Sequence, residues 1–431
     1  MKLLIGKTLS FNHNPFYGDL DKSVSINNDG GVLVQNGLIK EVGNSKEIIR
    51  KYPKVKIFNY QKSLILAGFI DAHMHYPQTS IIASYGKRLI DWLNQYTFPE
   101  EERFKNCKYA QEISSFTLNI CLRNGTTTVA SFCTSHLNSV EMFFNEAKKR
   151  NMRVVGGKVC MDRNAPEGLL DNAKSSYDDS EKLINKWHKN ERIIYAISPR
   201  FAPTSSPEQL NTLGDLWENY PDCLLQTHIS EQKEEIEWVK KLFPNFKDYL
   251  DVYDQFRLLK KGTILGHAIH LNERERKRIK EIGASLVHCP TSNFFIGSGL
   301  FDLEGLSKEK QKIGLATDTG GGTSFSMLKT MSAAYEVAQM RKFSVHPSQL
   351  IWMATQGAAE ALNIDKYLGN LETGKEADIV IIDLYSTPLI RKRSLLAENI
   401  WDAIFPTIIL GDERAIQSVW VKGKEIDFKN L

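Results

Sequence analysis

Leu64-Ile65-Leu66-Ala67-Gly68-Phe69-Ile70-Asp71-Ala72-His73-Met74-His75 runs from an apolar strand pattern straight into two histidines. Side chains alternate along a strand with period 2, so His73 and His75 share a face. At the carboxyl end of a strand, two imidazoles on one face can bind a single metal ion. Three later strand-like runs end in another suitable group: Leu225-Gln226-Thr227-His228-Ile229-Ser230-Glu231, Ile264-Leu265-Gly266-His267 and Leu315-Ala316-Thr317-Asp318. Together they predict one metal centre assembled from most of the chain.

Working outward, short apolar and often β-branched runs fall at 68–75, 126–132, 153–162, 192–200, 223–231, 262–271, 283–290 and 313–320. Helical patterns at 110–122, 139–150, 171–188, 207–217, 231–259 and 273–282 separate them, and helices resume at 326–341 and 347–362. Eight strands alternating with helices predict an α/β fold, a (β/α)8 TIM-like barrel. The two ends read differently, as strands and turns, with Gly31-Val32-Leu33-Val34 near the start and Ala377-Asp378-Ile379-Val380-Ile381-Ile382-Asp383 near the finish. They are expected to meet in a small β-sandwich domain. The expected division is 1–66 and 376–431 for the two parts of that domain, and 67–375 for a metal-dependent barrel.

The length of 431 residues suits this plan, since such a barrel takes ~250 residues and leaves room for a second unit. A hydrophobic content of 42% and a charged content of 25% are globular values. The 55 basic and 51 acidic residues are interspersed and leave a net charge of only +4, so no nucleic-acid partner is expected. The six cysteines form no Cys-x-x-Cys pair and several lie in apolar strands, which fits a reducing compartment. The apolar start Leu3-Leu4-Ile5 is too short for a signal peptide. No stretch approaches the ~20 apolar residues of a membrane span, so a cytoplasmic protein is expected.

Taken singly, each histidine reads as a hydrogen-bonded core residue. His73, His75, His228, His267 and Asp318 together read otherwise, because all fall at the carboxyl ends of strands one, five, six and eight. That rim is where barrel enzymes build their sites. A nitrogen-rich set with one carboxylate suits zinc, with iron as the alternative. Bound zinc lowers the pKa of its water to ~7, and Asp318 can both bind metal and accept that water's proton. Glu231, three residues past His228, is within reach to shuttle a proton to a leaving group. An acid at a helix start also favours the macrodipole, and that suffices for Glu234, Glu235 and Glu237. His267 is expected beside the metal as a donor or orienting group, and His288 at the end of strand seven as a pocket residue.

The first-strand motif resembles the signature of the amidohydrolase superfamily, and His228-Ile229-Ser230-Glu231 resembles the His-x-x-Glu of its purine and pyrimidine deaminases. Tyr76-Pro77-Gln78, Asp91-Trp92-Leu93-Asn94, Met161-Asp162-Arg163-Asn164-Ala165-Pro166 and Pro199-Arg200-Phe201-Ala202-Pro203-Thr204-Ser205 resemble the guanine deaminases. So do His288-Cys289-Pro290-Thr291-Ser292-Asn293 and Thr317-Asp318-Thr319-Gly320-Gly321-Gly322-Thr323.

The resemblance implies His73, His75, His228 and Asp318 as ligands of one Zn2+, or Fe2+ in its place. Strand four, 192–200, contains no lysine of the kind that bridges two metals in some superfamily members. Glu231 becomes the proton shuttle, with Asp318 and His267 also catalytic. Gln78, Arg200, Phe201, Trp92 and Leu93 become substrate contacts. Separately from the resemblance, 84–99, with Trp92 and Phe98, is the candidate segment for closing over the purine. The implied reaction is hydrolytic deamination of guanine to xanthine and ammonia in purine catabolism or salvage, by a homodimer. An arginine fork at Arg200 suits the adjacent acceptors O6 and N7 of guanine. The alternatives are an aminohydrolase for a pterin, triazine or adenosine-type substrate, and a non-enzymatic barrel, which the intact ligand set disfavours.

Overall fold

The computed structural model describes residues 1–86 and 88–431. The strands Phe69–His75, Thr126–Phe132, Arg153–Gly157, Ile193–Pro199, Leu224–Ile229, Thr263–His267, Ser285–His288 and Lys312–Leu315 follow one another in chain order across one sheet. Neighbours run parallel, as where Leu225 to Ile229 lie opposite Thr263 to His267. Backbone bonds from Asp318 N to His73 O and from His75 N to Thr319 O link the segment after the last strand to the first. The result is the expected (β/α)8 barrel, nearly closed. The first, second and fifth strands are buried at every residue, as parallel strands covered on both faces must be.

Three local readings change. The third strand breaks at Lys158, and Arg153–Gly157 and Val159–Cys160 each pair with the fourth strand. A Cβ at Gly157 would stand 2.0 Å from Ala196 O, so only glycine admits that approach. The single helix expected over 231–259 is two, Lys233–Leu242 and Tyr249–Gln255. Pro244 lacks an amide donor and disfavours helical backbone at Phe243 before it, so the first ends at Leu242. The sixth strand stops at His267 rather than 271, because φ turns positive at His267 (67°) and Ala268 (50°).

The stretch after the first strand is a chain of short helical turns, Tyr76–Ile81, Leu89–Trp92, Leu93–Thr97 and Phe98–Glu102. It contains the segment 84–99 expected to close over a substrate, of which Lys87 lies outside the described residues. The helices Pro388–Ser394 and Ile400–Leu410 were not anticipated.

The chain ends share one seven-stranded sheet, ordered Lys424–Glu425, Ile416–Val421, Ile379–Asp383, Lys56–Ala67, Lys2–Phe11, Val24–Gln35 and Leu38–Asn44. Ile379 to Asp383 lie antiparallel to Ala67 to Ser63, so the tail does join the start of the chain. Leu4, Val32, Ile65 and Trp420 pack in one cluster, and Leu3, Ile5, Leu33 and Ile48 in another. Both faces of Lys2–Phe11 are therefore buried, and each such aliphatic side chain contributes ~1.5–3 kcal/mol by leaving water. Residues 1–71, 119–128 and 325–431 form one compact unit, and 72–118 with 129–324 form another. Every candidate site residue lies in the second.

Candidate active site

Period-2 geometry on the first strand does place His73 and His75 together. Both are buried, at 1% and 4% exposure. His75 Nε2 lies 3.1 Å from His228 Nε2. Asp318 Oδ1 lies 3.4 Å from His73 Nε2 and 3.5 Å from His75 Nε2. His228 Nδ1 stands 2.6 Å from Arg200 O, a bond in which the ring nitrogen must donate, leaving Nε2 bare for a ligand. Burial pushes His73, His75 and His228 below the usual histidine range, so all three are neutral, the form that binds metal. Burial would raise Asp318, but a hydrogen bond from His73 and the charge of His267 hold it well below the usual carboxylate range. The rings of His73, His75 and His228 converge with the Asp318 carboxylate in a buried pocket, a donor set that fits a metal ion. The approach is close: a Cβ at Gly266 on the sixth strand would stand 2.8 Å from the His73 ring.

His267 and Glu231 stand beside this group. His267 Nε2 is 3.7 Å from Glu231 Oε2 and 3.7 Å from Asp318 Oδ2. Its Nδ1 is 2.9 Å from Asn293 Oδ1, an acceptor that orients the ring. Burial lowers the His267 pKa, but the Glu231 and Asp318 carboxylates outweigh it and hold the imidazole above its usual range. Ser298 Oγ donates to Glu231 Oε1 at 2.7 Å. Glu235 Oε2 accepts the backbone N–H groups of Glu231 (2.8 Å) and Gln232 (3.0 Å), while Tyr249 donates to its Oε1 at 2.8 Å. Burial and the neighbouring Glu231 charge raise Glu235 to about 7. Glu235 is thus more than a helix-start acid: it clamps the backbone that carries Glu231.

A pocket opens over these groups. Gln78, Trp92, Leu93, Arg200 and Phe201 all line it, together with His228, Glu231, His267 and Asp318. Leu93 and Phe201 belong to one apolar cluster with Phe98 and Met161, which firms that wall. Trp92 Nε1 donates to Ser84 O at 3.2 Å, so its indole is tied down. Arg200 Nη1 donates to Glu101 Oε2 at 2.7 Å, and Gln78 Nε2 donates to Glu101 Oε1 at 2.9 Å. His288 is placed elsewhere. It stacks on Phe301 with ring centres 4.4 Å apart. Glu101, Asn293, Ser298 and the true role of Glu235 escaped sequence reading; Asn293 alone carried a signal, lying in a quoted motif.

A histidine-carboxylate group at the carboxyl rim of a (β/α)8 barrel, with a second carboxylate beside it, defines a hydrolase with a metal-binding site. The chain belongs to the amidohydrolase family, whose profile matches residues 64–426. It is 43% identical over 403 residues to the guanine deaminase of Escherichia coli K12, covering 93% of this chain and 92% of that one. The solved E. coli guanine deaminase shares the fold with a TM-score of 0.97 at 41% identity, over 99% of each chain. A guanine deaminase from C. acetobutylicum with guanine bound in the active site matches with a TM-score of 0.89 at 30% identity, over 99% of this chain and 100% of that one. Within its family the chain groups with the guanine deaminases.

Proposed function

We propose that this chain hydrolyses guanine to xanthine and ammonia in the pocket between Arg200 and the histidine-carboxylate group. The observation that carries the reading is the meeting, in one buried pocket, of that group and Glu231 with the Arg200 and Gln78 donors. The likeness to guanine deaminases along nearly the whole chain supports it. His73, His75, His228 and Asp318 would hold one metal ion, and three imidazoles with one carboxylate favour zinc. When bound, the ion supplies a water acidified to a pKa of ~7.

The chain's own residues do the rest. Arg200 donates to O6 and N7 of guanine, and Gln78 pairs with the ring edge. Phe201, Trp92 and Leu93 border the purine plane. Glu231 takes one proton from the attacking water and gives it to the ring nitrogen next to C2, which makes that carbon electrophilic. Asp318 takes a proton from the attacking water, and Asp318 or Glu231 passes one to the departing amine. His267 is oriented by Asn293 to donate from Nε2 toward the reacting centre.

Ammonia release from guanine, adenine and cytosine, before and after a chelator, tests the reading. Guanine alone should be turned over, with activity lost to the chelator and restored by zinc. Turnover of adenine equal to guanine, or full activity without metal, would defeat it. No described helix is long and apolar enough to cross a membrane; a cytoplasmic role in purine catabolism is proposed on the family resemblance. A homodimer is proposed on the family resemblance, and a light-scattering mass of a single chain would remove it.

A further inference from the structure

Glu101 touches no group of the reacting centre, yet it bonds both residues at the purine end of the pocket. It sits on the short helix Phe98–Glu102, is 0% exposed, and splits its two oxygens between Gln78 Nε2 (2.9 Å) and Arg200 Nη1 (2.7 Å). The Phe98 ring lies under the Arg200 guanidinium, 5.6 Å from its central carbon. A carboxylate paired with arginine is acceptor-only. Gln78 must therefore turn its NH2 toward Glu101, which leaves Oε1 for the pocket that Gln78 lines. We infer that Glu101 sets the purine specificity of the site by holding Gln78 as an acceptor beside the Arg200 donors.

The pattern so fixed is donor, donor, acceptor. Along one edge guanine offers N7 and O6 as acceptors and N1–H as a donor, which matches at all three places. Adenine and 2,6-diaminopurine offer N7 as acceptor, the 6-amino group as donor and N1 as acceptor, which mismatch at two. An amide rotates by half a turn between acceptor and donor with almost no change in shape, so Gln78 alone would tolerate either edge. Glu101 removes that freedom. It is a positioning residue, and this role rests on the guanine reading above.

Glu101→Gln tests it. The new amide accepts from Arg200 with Oε1 and donates to Gln78 with Nε2, so Gln78 turns its NH2 into the pocket. The probes are guanine and 2,6-diaminopurine, whose 2-amino group is hydrolysed to isoguanine, with products read by chromatography. The guanine preference in kcat/KM should fall by roughly 10- to 100-fold, the effect of one mispaired hydrogen bond. KM for guanine should rise by about 10-fold with kcat within about 3-fold, because the contact is made equally before and during reaction. Metal content should not change.

An unchanged preference, or an equal loss on both purines, would overturn the role of Glu101 while leaving guanine hydrolysis intact. No xanthine from the unaltered protein would instead defeat the guanine reading itself. If Glu101→Gln does not fold, Glu101→Asp remains an acceptor-only group and should keep the preference within about 3-fold despite its shorter reach. Loss of preference there, or failure of both variants to fold, makes Glu101 a structural counter-ion and overturns the inference.

Discussion

Glu231→Gln is expected to lower kcat for guanine by on the order of 10³-fold, while the protein stays folded and metal-loaded. The amide is isosteric and can still accept from Ser298 Oγ, which lies 2.7 Å from Glu231 Oε1. The Glu235 clamp acts on the backbone N–H of residue 231 and does not depend on its side chain. What disappears is the ability to carry a proton between the attacking water, the ring nitrogen and the departing amine. The loss therefore belongs in kcat, with KM nearly unchanged. Steady-state ammonia release with metal analysis on the same sample checks this. Near-normal turnover in a metal-loaded variant would remove Glu231 from the chemistry.

Asp318→Ala is expected to be worse, with kcat down by roughly 10⁴-fold and most of the metal lost. The carboxylate lies 3.4 Å from His73 Nε2, 3.5 Å from His75 Nε2 and 3.7 Å from His267 Nε2, so it faces three imidazoles at once. Removing it takes away the only anionic donor of the proposed ligand set and the acceptor for the water's proton. It also removes one of the two carboxylates that hold the His267 pKa up. Metal stoichiometry and kcat, each compared with Glu231→Gln, separate the two roles. Glu231→Gln keeps metal and loses turnover, whereas Asp318→Ala loses both. A variant that retained metal and activity within about 10-fold would take Asp318 out of the site.

The legible part of this molecule is the part governed by local rules. Strand alternation made His73 and His75 partners before any fold was known, and their nitrogens do converge with those of His228. Alternating strand and helix patterns implied a barrel, and the barrel's rim then collected His228, His267 and Asp318. Glu231 was legible because it follows a strand end by so few residues. The same local reasoning overran the helix after it, where one proline outweighed the charge pattern that continued beyond.

Glu100-Glu101-Glu102 shows where local rules stop. Nothing in three successive acids distinguishes one from the next, yet Glu102 is exposed while Glu101 is wholly buried between Arg200 and Gln78. Glu235 had the same fate: a helix-start acid by pattern, a buried clamp in fact.

The sequence by itself determined the barrel, the meeting of the two chain ends in one small β domain, and the residues offered to a metal, because periodicity and strand ends are properties of neighbouring residues. Only the tertiary structure decided what orients those residues. Glu101 reaches Gln78 across 23 positions and Arg200 across 99, Asn293 reaches His267 across 26, and Ser298 reaches Glu231 across 67. A hydrogen bond over such separations depends on where the barrel brings two loops together to within about 3 Å, and no local pattern encodes that distance.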